Sequence, residues 1–273
     1  MLRLRAASGN RYAIRRQGTG EPLLLLHGFT GDHSGWQGVA PTLARKYQLI
    51  LVDLLGHGGS ESPKSTAAWR MSSIATDLVS LLDVLELTQV HLLGYSMGGR
   101  LALYLALRYP RRCMSLTLES ASPGIADEQQ RMARQQSDNQ LADKIKTRGI
   151  AWFVDYWQSL PMWASQVQLP AQAHLAQRGQ RLRCQPVGLA KSLRGMGSGA
   201  QPSLWAELPS LQAPTLLVVG GLDDKFRRIN AAMQDAIPDA WLEIIGDAGH
   251  NAHLEKPGKF TRLLMAHLAA ASP

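Results

Sequence analysis

Short unbroken apolar runs alternate with stretches of helical periodicity along most of the chain. The run at 23–26 is all leucine and ends at His27-Gly28, and the run at 49–54 leads into a Gly56-His57-Gly58-Gly59 turn. Further runs stand at 90–93, 116–118, 215–219 and 241–245. Continuous apolar runs of this length predict strands covered on both faces, hence a parallel sheet. Ile74, Leu78, Leu81, Leu82 and Leu85 keep the spacing of one helix face, as do Phe260, Leu263, Leu264, His267 and Leu268. Residues 11–16 alternate weakly and predict an antiparallel strand at the sheet edge. Strand and helix in alternation predict a doubly wound α/β sheet, and no internal repeat interrupts it.

The alternation breaks between Pro123 and Pro209. This stretch is rich in Gln, Ala and Arg and holds Trp152, Trp157, Trp163 and Trp205, with no parallel-strand signal. It predicts a helical cap (123–209) inserted into a core of 1–122 and 210–273, lying over the carboxyl edge where open α/β sheets bind ligands. The plainer reading is a second independent domain. The return of the strand pattern at Thr215 disfavours it.

Composition narrows the partners. The 273 residues carry 29 Lys+Arg against 21 Asp+Glu, a formal charge of +8, and 21 of the 29 cations are Arg. The basic residues cluster only in pairs such as Arg15-Arg16, Arg111-Arg112 and Arg227-Arg228, which argues against nucleic acid. Arginine grips carboxylates and phosphates bidentately, so an anionic small molecule stays open as a partner. Cys113 and Cys184 form neither a disulfide framework nor a zinc spacing. No apolar stretch approaches a membrane span and no secretory signal is visible, so a cytoplasmic location is expected. Nothing in the pattern speaks to oligomeric state.

The sharpest motif is Gly94-Tyr95-Ser96-Met97-Gly98, directly after the run at 90–93 and opening a helical stretch to about Tyr109. Flanking glycines let the backbone turn sharply and present the serine hydroxyl at the strand tip. A GxSxG string alone is weak, and an ordinary glycine turn is its plain alternative. The strand–turn–helix context gives it weight. A serine hydroxyl needs a histidine to take its proton, and that histidine needs an acid to fix its tautomer. Gly220-Gly221-Leu222-Asp223-Asp224 follows the run at 215–219 and offers the acid; spacing leaves Asp223 and Asp224 both open. Gly249-His250 follows the run at 241–245 and offers the base, with His253 expected at a helix or cavity rim. His27 and His57 sit in glycine-rich turns and are expected to be structural. An oxyanion hole needs two backbone N–H donors: Met97, after the nucleophile, and Phe29, in the loop after the early strand.

In this order the residues resemble the α/β-hydrolase superfamily over nearly the whole chain. The resemblance implies an α/β-hydrolase fold with Ser96, Asp223 and His250 as catalytic triad; Asp223 takes the acid's place in the G-x-x-D turn. The superfamily includes esterases, C–C hydrolases, lyases and inactive receptors, so the fold names no reaction.

Arginines narrow it further. Arg100 stands four residues after Ser96, one helical turn on, where its side chain can reach a pocket or pair with a carboxylate at the helix start. Arg131, Arg134, Arg178, Arg181, Arg183 and Arg194 follow in the insert. Singly, each reads as a solvated face; as a set over an oily cleft they suggest a pocket for a polyanion. The strings at 94–102, at 131–138 with Glu119, at 188–205 and at 249–255 resemble the 2-succinyl-6-hydroxy-2,4-cyclohexadiene-1-carboxylate synthases of menaquinone biosynthesis. The segment at 188–205 is the most specific, although a Gly/Ser connector back to the core would also explain it.

That resemblance implies a lyase that removes a proton from 2-succinyl-5-enolpyruvyl-6-hydroxy-3-cyclohexene-1-carboxylate and expels pyruvate, with no metal or organic cofactor. It implies Arg100, Arg134 and Arg181 as anion clamps, and Tyr95 and Trp157 as pocket walls. Two other readings stand beside it: a serine hydrolase of esters or C–C bonds, and a non-catalytic binding protein on the same fold.

Overall fold

The computed structural model describes residues 1–272. Its strands are β1 (Leu2–Arg5), β2 (Arg11–Gln17), β3 (Glu21–Leu26), β4 (Tyr47–Val52), β5 (Val90–Tyr95), β6 (Cys113–Glu119), β7 (Thr215–Gly220) and β8 (Ala240–Ile245). Among the described residues they make one eight-stranded sheet in the order β1-β2-β4-β3-β5-β6-β7-β8. β1 and β2, and β2 and β4, pair antiparallel. From β4 to β8 the neighbours run parallel. The helices are α1 (Ala40–Leu43), α2 (Met71–Val84), α3 (Met97–Arg108), α4 (Glu128–Gln158), α5 (Ala171–Leu182), α6 (Pro186–Met196), α7 (Asp224–Ala236), α8 (Ala252–Glu255) and α9 (Pro257–Ala271).

The leucine run of β3 shows why the sheet must be covered twice. Leu24 and Leu26 pack with Ile74, Leu78 and Leu81 of α2 and with Leu101 and Leu105 of α3. Leu23 and Leu25 point to the other face, against Leu43 of α1 and Phe260, Leu264 and Leu268 of α9. All four leucines are buried, and each contributes about 1.5–3 kcal/mol relative to an exposed position.

The sheet edges differ from the sequence reading. Among the described residues β8 is the last strand of the sheet and pairs with β7 alone, so Trp241 is 51% and Ile244 47% exposed rather than covered on both faces. At the other edge, β1 forms a hairpin strand that the two-residue alternation of Leu2 and Leu4 was too short to declare. Arg3 and Arg5 keep that edge charged, which discourages further strand pairing.

Between β6 and β7 the chain forms helices and turns and no strand. Asp127 caps α4 by accepting the Gln130 N–H at 2.7 Å. The helix kinks at Gly149, whose φ of +80° favours a residue without a Cβ. Ile145, Phe153, Cys184, Leu189 and Leu193 from this segment form a third apolar cluster, and Phe29, from the loop after β3, packs against it. The segment therefore closes over the carboxyl edge of the sheet. Among the described residues no helix is long and apolar enough to cross a membrane.

Candidate active site

The site begins at the turn from β5 into α3. Ser96 has φ +50° and ψ −108°, a conformation that costs a non-glycine residue about 1–3 kcal/mol. The surroundings impose it. The Ser96 N–H donates to the Glu119 carbonyl at 2.8 Å, tying the turn to the end of β6. A Cβ on Gly94 would stand 2.5 Å from the Gly99 Cα, and one on Gly98 would strike the Leu26 carbonyl. Both flanking glycines are thus required by close approach, and the hydroxyl is held out at the strand tip.

His250 faces it from the loop after β8. Its Nδ1 lies 2.6 Å from Asp223 Oδ2 and its Nε2 3.1 Å from Ser96 Oγ. With Nδ1 protonated and donating to the carboxylate, Nε2 is left to accept the serine proton. Asp223 also caps α7, accepting the Phe226 N–H at 3.3 Å, so the acid is fixed by the helix it starts. Asp224 turns away and pairs with Arg227 at 3.0 Å. The rings of Phe226, Tyr95 and Trp163 lie 4.7, 5.6 and 5.8 Å from the imidazole and keep it 2% exposed.

Ser96 and His250 open on a cavity of about 430 Å³ that Phe29 and Met97 also line. Met97 is the first residue of α3, so its N–H has no partner within the helix. Trp157 forms an apolar wall, edge-on to Phe29 at 5.4 Å. The Tyr95 hydroxyl, the Trp157 Nε1 and the Ser120 hydroxyl are buried beside this cavity without a protein partner. Burial pushes the Tyr95 phenol well above its ordinary range, with the Glu119 charge adding to it.

Arg100 lines the same cavity and is buried. Its Nη1 donates to the Met196 carbonyl at 2.7 Å and to Gln201 Oε1 at 3.1 Å. Among the described residues no carboxylate forms an ion pair with it; the alternative of a helix-start carboxylate partner is not what the fold provides. Burial, with Arg134 nearby, pushes its pKa down to about 10, so it remains a cation at neutral pH. Arg134 also lines the cavity, while its Nε donates to Asp138 at 2.7 Å.

The other arginines of the insert fall elsewhere. Arg131, Arg178, Arg183 and Arg194 pair with Glu128, Asp155, Asp32 and Asp143 and do not line the cavity. The expectation of one arginine set over the cleft is corrected to Arg100 and Arg134, which line the cavity together with Lys225. Arg181 is buried on α5 but lines a separate cavity of about 50 Å³, with His253 and Asn251. Its guanidinium lies 5.1 Å from the Trp163 ring, and Trp163 stands in the walls of both cavities.

The turn histidines are structural. His27 Nε2 accepts the Leu54 N–H at 3.0 Å, and Nδ1 donates to the Gly28 carbonyl at 2.8 Å. Burial, with His27 beside it, pushes His57 down to about 3. His253 stands on α8, buried against the Glu119 carboxylate, and lines the smaller cavity. Asp138 and Gln201 escaped the residue-by-residue reading: Asp138 is marked only by its i,i+4 spacing to Arg134, and nothing local marks Gln201 as the partner of Arg100, 101 residues away.

Fold and site together define a protein of the α/β-hydrolase class, and residues 21–257 match the family described as alpha/beta hydrolase fold. A Bacillus subtilis (strain 168) protein named putative 2-succinyl-6-hydroxy-2,4-cyclohexadiene-1-carboxylate synthase is 38% identical over 98% of both chains. The structure of MenH from S. aureus superposes with a TM-score of 0.90 at 34% identity, covering 95% of this chain and 98% of that one. A thermophilic esterase from Thermogutta terrifontis, solved with malate bound, also reaches 0.90 at 26% identity over the full length of both chains. The chain belongs to the 2-succinyl-6-hydroxy-2,4-cyclohexadiene-1-carboxylate synthase family of α/β-hydrolase-fold proteins.

Proposed function

We propose that this protein is a carbon–oxygen lyase converting 2-succinyl-5-enolpyruvyl-6-hydroxy-3-cyclohexene-1-carboxylate to 2-succinyl-6-hydroxy-2,4-cyclohexadiene-1-carboxylate, with Ser96, His250 and Asp223 as its catalytic groups. Residues 123–209 act as the cap that encloses the substrate. Family membership supports the reaction. The observation that carries the site assignment is a buried arginine without a counter-ion, Arg100, in the same cavity as a serine hydroxyl 3.1 Å from an imidazole. A neutral ester gives that cation nothing to bind, whereas a tricarboxylate does.

Ser96 Oγ takes the proton beside the succinyl ketone as His250 Nε2 takes the hydroxyl proton. The C–H electrons form the enolate, whose oxygen is held by the Phe29 and Met97 amides. They then pass through the ring alkene and break the C–O bond to the enolpyruvyl group. The departing enolate collects the proton from His250 and leaves as pyruvate, and no water is consumed. Asp223 stabilises the imidazolium in between. Arg100 and Arg134 hold carboxylates, with Tyr95 and Trp157 shaping the pocket. Arg181, the third arginine the resemblance implies as a clamp, stands against Trp163 in the smaller cavity and not in the one that holds Ser96.

A pyruvate-release assay on the enolpyruvyl substrate, run beside a p-nitrophenyl ester, tests the assignment. Stoichiometric pyruvate with slow ester turnover is the expected result. Rapid ester hydrolysis without pyruvate would replace the lyase reading with a hydrolase one.

A further inference from the structure

Gln201 lies in none of the catalytic groups, yet it is fully buried behind Arg100. Its Oε1 accepts from Arg100 Nη1 at 3.1 Å and its Nε2 donates to the Ser122 carbonyl at 3.1 Å. The two contacts fix the amide's orientation: turned over, it would set an N–H₂ group against a guanidinium and an oxygen against a carbonyl. The backbone N–H of Gln201 donates to the Gly197 carbonyl at 3.0 Å, so the residue is anchored through its main chain as well. The second acceptor for Arg100 is the Met196 carbonyl, also uncharged.

Neutrality is the unusual part. A buried guanidinium is ordinarily paired with a carboxylate, because an unpaired buried charge is costly. Here the one acidic side chain of the neighbourhood, Asp138, is already engaged, with Oδ1 on Arg134 and Oδ2 3.3 Å from the Gly199 N–H. Both hydrogen bonds described for Arg100 therefore go to neutral acceptors, Asp138 acts on it only through space, and the residue lines the cavity.

We propose that Gln201 is a specificity-determining residue: while the Met196 carbonyl holds Arg100 in place, Gln201 meets the guanidinium with a neutral acceptor, so that its charge stays available to an anionic group of the substrate. The inference rests on the polyanion reading of the cavity but makes a separate claim, that the acceptor must be uncharged. A glutamate at this position would have nearly the same shape, would pair with Arg100 internally and would set a carboxylate oxygen against the Ser122 carbonyl.

Succinate serves as the binding probe, followed by quenching of tryptophan fluorescence, since Trp157 and Trp163 line the cavity. Gln201→Glu is expected to weaken succinate binding and raise the KM of the enolpyruvyl substrate by about tenfold or more, with kcat within about threefold of wild type. Gln201→Met removes the acceptor without adding charge and is expected to stay within about threefold of wild type in both affinity and KM. A purely structural residue would respond in the opposite order, or lower kcat and KM effects together with thermal stability. Wild-type affinity and KM in Gln201→Glu would overturn the proposal. So would a tenfold loss in Gln201→Met, which decides the matter alone should the glutamate variant not fold. If wild type binds succinate in a Gln201-dependent way but releases no pyruvate, this inference stands and the lyase assignment falls. If pyruvate is released and Gln201→Glu is indistinguishable from wild type, the reverse holds.

Discussion

Glu119 holds His253 twice: its Oε1 accepts the His253 backbone N–H at 2.9 Å, and its Oε2 lies 2.6 Å from the ring Nδ1. Its own carbonyl accepts the Ser96 N–H. One residue at the tip of β6 thus joins the serine turn to the loop that carries His250, three residues before His253. Trp36 stacks on the His253 ring at 4.3 Å and closes the arrangement. Glu119→Gln leaves the backbone bond to Ser96 intact but loses a charge-assisted bond, worth about 1.5–3 kcal/mol. The expected outcome is a kcat at least tenfold lower with KM little changed, and a lower Tm. Steady-state kinetics beside thermal unfolding check it; a wild-type kcat would show that the two loops are positioned independently.

Ser96→Ala removes the proposed base and leaves the arginines in place. Pyruvate release is expected to fall by about three orders of magnitude or more, on the scale seen when one member of such a triad is lost. Succinate affinity should stay near wild type. Rates within tenfold of wild type would mean that His250 takes the carbon-bound proton by itself.

Arg100 and Arg134 differ in setting, and their variants should differ in size. Arg100 is buried with neutral partners, whereas the Arg134 side chain is 41% exposed and shares its charge with Asp138. Arg100→Met is expected to cost about 3 kcal/mol in kcat/KM, in the range of a desolvated charge contact. Arg134→Met should cost less. Equal losses from the two, measured on the enolpyruvyl substrate, would contradict a graded contribution set by burial.

His57 ties stability to acid. Its folded pKa of about 3 lies below the ordinary histidine value near 6.5. The unfolded chain therefore binds a proton that the folded chain refuses. Stability from this group is full above pH 6.5 and is lost as pH falls toward 3, by about 1.4 kcal/mol per unit in that window. His57→Gln should flatten the dependence of the urea midpoint on pH between 6.5 and 5. An unchanged slope in the variant would assign the acid sensitivity to other groups, such as buried His267, which burial also pushes down, to about 4.

The hydrophobic pattern by itself determined the parallel sheet, because residues buried on both faces of a strand are predominantly apolar, and β3, β4, β5 and β7 are written that way, although polar residues such as His91, Ser115 and Thr117 are buried in β5 and β6. It also determined the serine turn, because close backbone approach leaves Gly94 and Gly98 no room for a side chain. Spacing could not choose between Asp223 and Asp224; only the arrival of the His250 ring did, since the acid is defined by what it touches. The same holds for the arginines. Alike as letters, Arg131 and Arg194 face surface carboxylates, Arg181 stands against Trp163, and Arg100 lines the cavity of Ser96 and His250 without an ion-pair partner. Local sequence sets which residues can turn, pair or pack. Which charges are left uncompensated depends on partners far apart along the chain, such as Gln201 and Arg100, that only the packed sheet and its covering helices bring within reach.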